Sequence, residues 1–332
     1  MRTVILGAIG AGRIGKLHTE NILQMPGVRM KLMADPYIDE TWARGRSLAV
    51  TTEPEAVFAD KEIEAVLIFS PSTLHADQII TAAENGKHIF CEKPIALDPD
   101  RIRQALDAVA KAKVKLQIGF NRRFDPEFCR LREAVSSGEI GRLYQIKITA
   151  RDPALPSIDY VKTSGGMFLD MTIHDFDMVR YLSGSEVEEV FAAGAAMIDR
   201  TIGEAGDIDT AITTLKLTNG ALAVIDNSRQ AVYGYDQRIE VFGSKGSMQA
   251  CNRTPTRTVS TTAEGVITDK PLYFFLERYQ ESFRVEMEEF VAALREKRDP
   301  AVGGIDGLIS TLIGIAAKES MERGEPVRVN QG

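Results

Sequence analysis

Apolar residues in the first 120 positions form short runs, and between the runs they recur at helical spacing. The runs predict buried strands at Thr3–Gly7, Met30–Ala34, Ala65–Ser70, His88–Cys91 and Lys115–Phe120. Helices are predicted between Ile14 and Ile22 and over Thr73–Asn85 and Pro99–Ala112. Strands and helices that alternate in this way connect by right-handed crossovers, so residues 1–120 are expected to form a parallel, doubly wound sheet of the α/β class.

After Phe120 the apolar pattern changes to strands with few helices between them. The predicted strands are Leu143–Arg151, Val187–Met197, Thr210–Leu217, Ala221–Asn227, Arg238–Phe242 and Ser247–Cys251. Thr218-Asn219-Gly220 and Gly243-Ser244-Lys245-Gly246 have turn chemistry and predict hairpins. Helices are expected over 127–137, 168–182, 278–297 and 305–323. Residues 121–332 should therefore form a second, α+β domain with a large, mostly antiparallel sheet.

Two strands of that second sheet have an unusual outward face. In Asp209–Leu217 and Ala221–Ser228, threonine and alanine alternate with larger apolar residues. One face of these strands should cover the core, while the other is only weakly polar. A face of this kind often packs on a second subunit, so we expect the chain to form a homo-oligomer.

Composition and charge narrow the class of protein. With 332 residues, 44% of them hydrophobic and 26% charged, the chain has the composition of a globular protein with two domains. A net charge of −7 and a pI of about 5.4 disfavour nucleic acid and anionic membranes as partners. The first apolar run, Val4–Leu6, is too short for the core of a signal peptide, so a cytoplasmic location is expected. The three widely spaced cysteines suggest neither a disulfide framework nor a zinc site.

A glycine-rich segment, Gly10-Ala11-Gly12-Arg13-Ile14-Gly15, follows the first strand and opens the first helix. In such a segment the first glycine makes a tight turn, the second lets the backbone approach a pyrophosphate, and the third lets helix and strand pack closely. Asp35 ends the second strand, where a carboxylate accepts from ribose hydroxyls and repels the 2′-phosphate of NADP. These residues predict a Rossmann domain that binds NAD. The alternative is that the glycines only close a turn and that Asp35 caps the next helix.

Two further strand ends carry polar side chains at the carboxyl edge of the predicted sheet, where ligands bind in doubly wound folds. These side chains are Ser70, Thr73 and His75 after one strand, and Glu92 and Lys93 after the next. We expect them to complete the cofactor site together with Gly10, Gly12, Arg13, Ile14, Gly15 and Asp35. Taken alone, a lysine before a proline is more often merely solvated, so the expectation for Lys93 depends on its neighbours.

Candidate groups for proton transfer lie in Gly165–Asp177. Asp170, His174 and Asp177 are spaced i, i+4 and i+7, which places them on one face of the predicted helix. An ordinary solvated stripe carries lysine, glutamate and arginine, whereas this one holds short acids and an imidazole. Oxidation of a secondary alcohol needs a base, and the pKa of a histidine, about 6.5, suits that role. We expect His174 to accept the proton, Asp170 to orient His174, and Lys93 to hydrogen-bond the oxygen that becomes a partial alkoxide.

A metal site is the other interpretation of the same helix, because histidine and carboxylates at this spacing can be ligands. No further histidine or cysteine is spaced to complete a tetrahedral set. We therefore expect no metal.

Four segments of the chain resemble the Gfo/Idh/MocA oxidoreductases, and the resemblance runs from end to end. The segments are Gly10–Gly15, Glu92-Lys93-Pro94, Gly119–Pro126 and Gly165–Asp177. Ile173–Asp177 and Tyr233–Arg238, followed by Phe242–Gly246, most resemble the bacterial members of that family that oxidise inositol. One departure is Gly7-Ala8-Ile9-Gly10, where an extra residue precedes the glycine motif.

The resemblance implies an NAD-dependent oxidation of one secondary ring hydroxyl of a cyclic polyol, with myo-inositol as the expected substrate and 2-keto-myo-inositol (scyllo-inosose) as the product. It implies that Lys93, Asp170 and His174 form the catalytic group. The residues that it implies for the polyol pocket are Arg123, Asp152, His174, Asp177 and either Tyr233 or Tyr235. Members of the family are commonly tetramers, so the expected oligomer is a homotetramer.

Three alternatives stay open at this point. The chain could be another polyol or sugar dehydrogenase of the family, acting on scyllo-inositol or an aldopyranose. It could be one of the family's NAD-dependent glycosidases, which oxidise transiently and release no NADH. It could also be a non-catalytic dinucleotide-binding sensor, although such proteins can lose the lysine and histidine that this chain has.

Overall fold

The computed structural model describes residues 2–330 and contains a parallel and a mostly antiparallel sheet. The strands are β1 (Val4–Ile9), β2 (Val28–Ala34), β3 (Val50–Thr51), β4 (Ala65–Ile68), β5 (His88–Cys91), β6 (Leu116–Ile118), β7 (Leu143–Arg151), β8 (Val187–Ala195), β9 (Thr210–Leu217), β10 (Leu222–Ser228), β11 (Asp236–Gly243), β12 (Gly246–Ala250), β13 (Val259–Thr262), β14 (Gly265–Thr268) and β15 (Val327–Arg328). The helices are α1 (Arg13–Leu23), α2 (Glu40–Arg44), α3 (Glu55–Ala59), α4 (Ser72–Glu84), α5 (Pro99–Ala112), α6 (Pro126–Ser136), α7 (Ile158–Ser164), α8 (Gly166–Asp170), α9 (Ile173–Ser183), α10 (Arg200–Glu204), α11 (Phe275–Arg278), α12 (Gln280–Glu296) and α13 (Gly304–Arg323). Of the helices within residues 2–330, none is both long and apolar enough to cross a membrane.

The first of two compact units contains the residues up to Asn121 together with Phe283–Thr311. Its sheet has the strand order β3-β2-β1-β4-β5-β6, and each neighbouring pair is parallel. This arrangement confirms the predicted doubly wound sheet. Strand β3 was not predicted, because its two residues are too few to give a periodic signal.

The return of 283–311 to the first unit differs from the prediction that 121–332 forms one domain. Helix α12 supplies Met287, Phe290, Val291 and Leu294 to the same buried core as side chains of β1, β2, β4 and β5. Periodicity along α12 predicts a helix with an apolar face. It does not say which sheet that face covers, since the contact is remote in sequence.

The second unit contains Arg122–Ser282 together with the chain from Leu312 onward. Its main sheet has the order β12-β11-β7-β10-β9-β8-β15, in which β7 and β10 are parallel and the other neighbours are antiparallel. The two predicted hairpins join β9 to β10 and β11 to β12. Alternate residues of β9 are buried and exposed, as the sequence pattern predicts. Strands β13 and β14 form a separate exposed hairpin that the sequence did not predict.

Candidate active site

The glycine segment of the first unit has the geometry of a phosphate-binding turn. Gly10 has a φ of +99°, and a Cβ at this position would lie 2.5 Å from the carbonyl carbon of Phe69. A Cβ at Gly15 would lie 2.1 Å from the carbonyl oxygen of Gly10. At Gly12, by contrast, a Cβ would meet no atom within 4 Å. Two of the glycines are therefore required by packing, and the middle one leaves open space.

Helix α1 begins at Arg13, directly after that open space. Its N-cap, Gly12, supplies no side-chain cap, and the first turn holds no acidic residue. The backbone N–H groups of a helix N-terminus attract anions, and no side chain caps them here. Arg13 and Ile14 are the first two residues of the helix, so their main chain belongs to this N-terminus. The segment fits the pyrophosphate of a dinucleotide.

Asp35 lies beside the glycine segment, directly after β2. Its Oδ2 accepts a hydrogen bond from the backbone N–H of Ala11 at 2.6 Å, and its Oδ1 accepts from that of Tyr37 at 2.7 Å. The alternative role as cap of the next helix is not observed, because α2 is capped by Asp39. These two bonds fix the carboxylate of Asp35 in place. Each of its oxygens can accept a further hydrogen bond, so the carboxylate still fits a ribose diol.

The other predicted cofactor residues of this unit differ in what their side chains contact. His75 is buried, and its Nδ1 and Nε2 each lie 2.8 Å from a backbone carbonyl oxygen, of Pro94 and Ser70 respectively. Burial lowers the pKa of His75. The Ser70 hydroxyl donates to Gln78, and Glu92 contacts His18 at 3.1 Å. Thus the side chains of His75 and Glu92 make contacts within the protein that fix the strand ends. Thr73, by contrast, is exposed in the first turn of α4.

The predicted helix 168–182 of the second unit is broken into α8 and α9. The backbone N–H groups of Met171 and Thr172 both donate to the carbonyl of Met167 at 2.9 Å, which ends α8. The Thr172 hydroxyl donates to Asn227 of β10 at 2.8 Å and holds the break. Asp170 and His174 therefore lie on different helices, and the prediction that Asp170, His174 and Asp177 share one continuous helical face was wrong. The sequence spacing cannot reveal a break that a tertiary hydrogen bond stabilises.

Asp170 has two partners that the sequence did not predict. Its Oδ1 accepts from the Tyr160 hydroxyl at 2.7 Å, and its Oδ2 accepts from the Arg229 guanidinium at 3.4 Å. Arg229 also lies 3.6 Å from Asp207, and its side chain is only 2% exposed. Arg229 follows β10 directly, so a search of polar residues at strand ends could have found it. Tyr160 lies on α7, a helix with no clear apolar period.

Arg123 and Asp177, both predicted to contact substrate, form a pair with each other. The Arg123 Nε and Nη2 donate to the two carboxylate oxygens of Asp177 at 2.8 and 2.6 Å. A second pair lies next to it in sequence, where Arg122 donates to the fully buried Asp175 at 2.5 Å. The charges of these two arginines are therefore balanced within the protein.

Asp152 directly follows β7, near the same buried charges. Burial raises its pKa to about 6, and the charge of Asp170 adds to the effect while those of Arg229 and Arg122 oppose it. Its main chain is held by hydrogen bonds with Ser228 and Ala231. Asp152 is thus a carboxylate whose pKa lies above the usual value of an aspartate.

The two candidate tyrosines are separated by the structure. Tyr235 is buried, its ring packs edge-on against Tyr279 at 6.0 Å, and burial raises its pKa, with Arg122 opposing. Tyr233 instead donates to Asp236 at 2.6 Å and accepts from Arg151 at 3.0 Å. Tyr235 is therefore the better candidate for the polyol pocket.

Comparisons with known proteins cover both units. Residues 4–120 match the oxidoreductase family with an NAD-binding Rossmann fold, and residues 128–249 match the GFO/IDH/MocA C-terminal domain. The chain is 50% identical to the uncharacterized oxidoreductase YrbE of Bacillus subtilis (strain 168), over 99% of this chain and 97% of that protein. It is 46% identical to the myo-inositol 2-dehydrogenase of Thermotoga maritima, over 98% of each. A solved structure of scyllo-inositol dehydrogenase from Lactobacillus casei, with bound NAD(H) and scyllo-inositol, has a TM-score of 0.92 at 30% identity and 99% coverage of both chains.

Proposed function

Because the chain belongs to the Gfo/Idh/MocA family of NAD-binding oxidoreductases, we propose that it oxidises a secondary ring hydroxyl of a cyclic polyol, namely myo-inositol to 2-keto-myo-inositol (scyllo-inosose). The observation that carries this proposal is the charge balance of the second unit. Arg122, Arg123 and Arg229 are each paired with an aspartate. None of the three is available as the counter-ion of an anionic substrate, so the site suits a neutral one.

Carboxylates suit a ring polyol because each can accept hydrogen bonds from adjacent hydroxyls and so distinguish their orientation. Asp152 and Asp170 supply such acceptors, with Tyr235 as a further polar group, whereas Arg123 and Asp177 act mainly as a neutral pair. The 46% identity to a myo-inositol 2-dehydrogenase also favours myo-inositol over scyllo-inositol, since the scyllo-inositol enzyme with a solved complex is 30% identical.

The proposed chemistry needs one base and one stabiliser of negative charge. The glycine segment and Asp35 would hold NAD, which would supply the acceptor for the hydride of the carbinol carbon. His174 accepts the hydroxyl proton, and Asp170, held by Tyr160 and Arg229, stabilises the imidazolium. Lys93 donates a hydrogen bond to the oxygen as its negative charge develops.

Accumulation of NADH tests this reaction against the other activities. We expect purified protein with NAD and myo-inositol to give a steady rise in NADH absorbance that continues until the substrate is consumed or equilibrium is reached. An NAD-dependent glycosidase would release sugar without any net NADH, and a sensor would bind NAD without turnover. Either of those two results would replace the proposed function.

Asp35 gives a prediction about cofactor choice. Asp35→Ser should narrow the preference for NAD over NADP, because the carboxylate no longer repels a 2′-phosphate. The serine also loses the two acceptors that hold Ala11 and Tyr37, so affinity for NAD should fall as well. The measurement is kcat/KM of wild type and Asp35→Ser with NAD and with NADP. The control is Asp39→Ser, which removes a neighbouring carboxylate. Wild-type protein that turns over NADP as well as NAD would contradict the role of Asp35.

We also propose a cytoplasmic homotetramer. The outward face of the seven-stranded sheet exposes a set of large apolar side chains, namely Phe191, Ile212, Leu222 and Phe242, at 39%, 47%, 55% and 44%. The strand registers put all four on one face. Leu222 and Phe242 both pair with Gln145 of β7. On β9, Lys216 pairs with Leu222 and Thr214 pairs with Phe191, and these two positions share the exposed face with Ile212. Contiguous apolar surface of this kind supports an interface between copies of the chain. The cytoplasm is proposed because it supplies the NAD pool that the reaction needs.

The interface can be tested by charge. Ile212→Arg combined with Leu222→Arg should lower the molar mass measured by light scattering from that of a tetramer to a dimer or monomer, because buried unpaired charges oppose association. Tyr37→Arg is the control, since Tyr37 is 93% exposed in the first unit. An unchanged mass for the double variant would exclude this face as an interface.

A further inference from the structure

A buried group of three ionisable side chains lies in the first unit, apart from the residues assigned so far to substrate. His18 is on α1, Glu92 follows β5, and Glu286 is on α12, and their ligand-type atoms lie within 4.8 Å of one another. His18 and Glu286 are fully buried. His18 Nε2 contacts Glu92 Oε1 at 3.1 Å, whereas neither carboxylate oxygen of Glu286 has a hydrogen-bond partner in the described part of the chain.

The surroundings of this group are apolar. The ring of His18 stacks on Phe69 at 4.9 Å and meets Phe90 and Phe283 edge-on at 5.4 and 5.5 Å. Two carboxylates this close in a poorly solvated site do not both ionise, because desolvation and mutual repulsion raise the pKa of one of them. Burial raises the pKa of Glu286, and the charge of Glu92 adds to that effect. Glu92 contacts His18, and its side chain is 15% exposed, so its carboxylate is better solvated than the fully buried one of Glu286.

Glu92 belongs to the segment that carries Lys93. Gly119 packs so closely on the Glu92 carboxylate that a Cβ there would lie 2.9 Å from Oε2. His75 contacts the carbonyl of Pro94 on the other side of Lys93. Among the titratable groups of these neighbouring elements, His75 has a pKa that is lowered by burial, raised by the charge of Glu92 and lowered by that of Lys93. The charge that acts on Glu286 is that of Glu92.

We propose that Glu286 is a positioning residue whose neutral carboxylic acid shares its proton with Glu92 through one water, and so fixes the segment Glu92-Lys93-Pro94. The cluster keeps one negative charge and one proton between the two glutamates. The expected effect on activity rests on the proposed role of Lys93. The presence of the shared proton does not depend on that role.

Proton linkage gives a test that is independent of activity. Consider pH values between 4.5, the ordinary pKa of a glutamate, and the raised pKa of Glu286 in the folded chain. In this range Glu286 binds a proton in the folded state that the unfolded state has released. Stability contributed at this site therefore decreases as pH rises through that window. Glu286→Gln removes the titration while keeping a neutral hydrogen-bond donor, so the variant should gain stability relative to wild type as pH rises.

The experiment compares the melting temperatures of wild type, Glu286→Gln and the exposed control Glu288→Gln at pH 5 and pH 8, in protein without added substrate. The difference between Glu286→Gln and wild type should shift by at least about 3 °C in favour of the variant at pH 8. Glu288→Gln should show no such shift. The infrared band of a protonated carboxyl group at pH 7 should be present in wild type and lost in Glu286→Gln. A missing band, or a variant that loses stability at pH 8, would overturn the shared proton.

Activity and metal content complete the test. Glu286→Leu should lower kcat at least about tenfold, and Glu286→Gln should restore it to within about threefold of wild type. Wild-type kcat in Glu286→Leu would overturn the positioning role even if the proton is present. Full activity of Lys93→Ala would instead count against the proposed function. A stoichiometric metal ion found by elemental analysis of the purified protein would also overturn the proposal, because Glu286 would then be an ionised ligand.

Discussion

His174→Ala should lower kcat by about 10²–10⁴-fold while the affinity for NAD changes little. The base is lost, but the glycine segment, the N-terminus of α1 and Asp35 belong to the first unit and are untouched. The measurement is kcat from the initial rate of NADH formation with saturating myo-inositol, together with the Kd for NAD by titration of intrinsic fluorescence. A variant within tenfold of the wild-type kcat would exclude His174 as the base.

A double variant separates a shared role from independent ones. Lys93→Ala should lower kcat to a similar degree, since it removes the donor to the developing alkoxide. The loss in the double variant should be much smaller than the product of the two single losses, because groups that act as one unit share a single effect. Fully multiplicative losses would mean that Lys93 and His174 contribute independently of each other.

Arg229→Met should lower the free energy of unfolding by about 3–5 kcal/mol, because it leaves buried carboxylates without their counter-charge. Arg229 is 2% exposed and lies 3.4 Å from Asp170 and 3.6 Å from Asp207. Its loss should also raise the pKa of Asp152 further, since the charge of Arg229 lowers it in the native protein. Denaturant unfolding at pH 7 measures the first effect, and the pH dependence of kcat/KM measures the second.

The matched control for this change is Arg200→Met in the same unit. The Arg200 side chain is 91% exposed, and its contact with Glu204 is a surface ion pair. Such pairs contribute little to stability, so the control should unfold at nearly the wild-type denaturant concentration. If both variants unfold at the wild-type denaturant concentration, the pairing of Arg229 with Asp170 does not contribute to stability.

Much of the fold could be predicted because its elements are long and their patterns are local. Helix α5 and strands β5, β7 and β9 have the predicted bounds, and the order of strands and helices up to Phe120 identifies the parallel sheet. What could not be predicted depends on remote contacts. The assignment of α12 from Phe283 onward to the first unit results from packing between segments about 200 residues or more apart. Val327 of β15 pairs with Val190 of β8 across about 140 residues.

The candidate site shows the same division. The glycine segment and Asp35 were predictable because a strand, a turn and a helix follow one another in sequence. The break between α8 and α9 was not, because Thr172 is held by Asn227 from another element. Likewise, no pattern along the chain shows that Arg123 and Asp177 neutralise each other, or that His75 contacts two carbonyl groups.

The central claim, that a neutral ring polyol is recognised by carboxylates, is tested most directly by kcat/KM with NAD for myo-inositol, scyllo-inositol, glucose and sorbitol. A carboxylate such as that of Asp152 or Asp170 loses a hydrogen-bond donor when a hydroxyl is missing or inverted, and each such loss should lower kcat/KM about tenfold or more. An axial hydroxyl among equatorial neighbours presents its carbon-bound hydrogen for hydride transfer while the other hydroxyls keep their contacts. We predict that myo-inositol is the best substrate and exceeds sorbitol at least about 100-fold. Sorbitol or a simple 2-hydroxy acid as the best substrate would contradict both the inositol assignment and the proposed pocket.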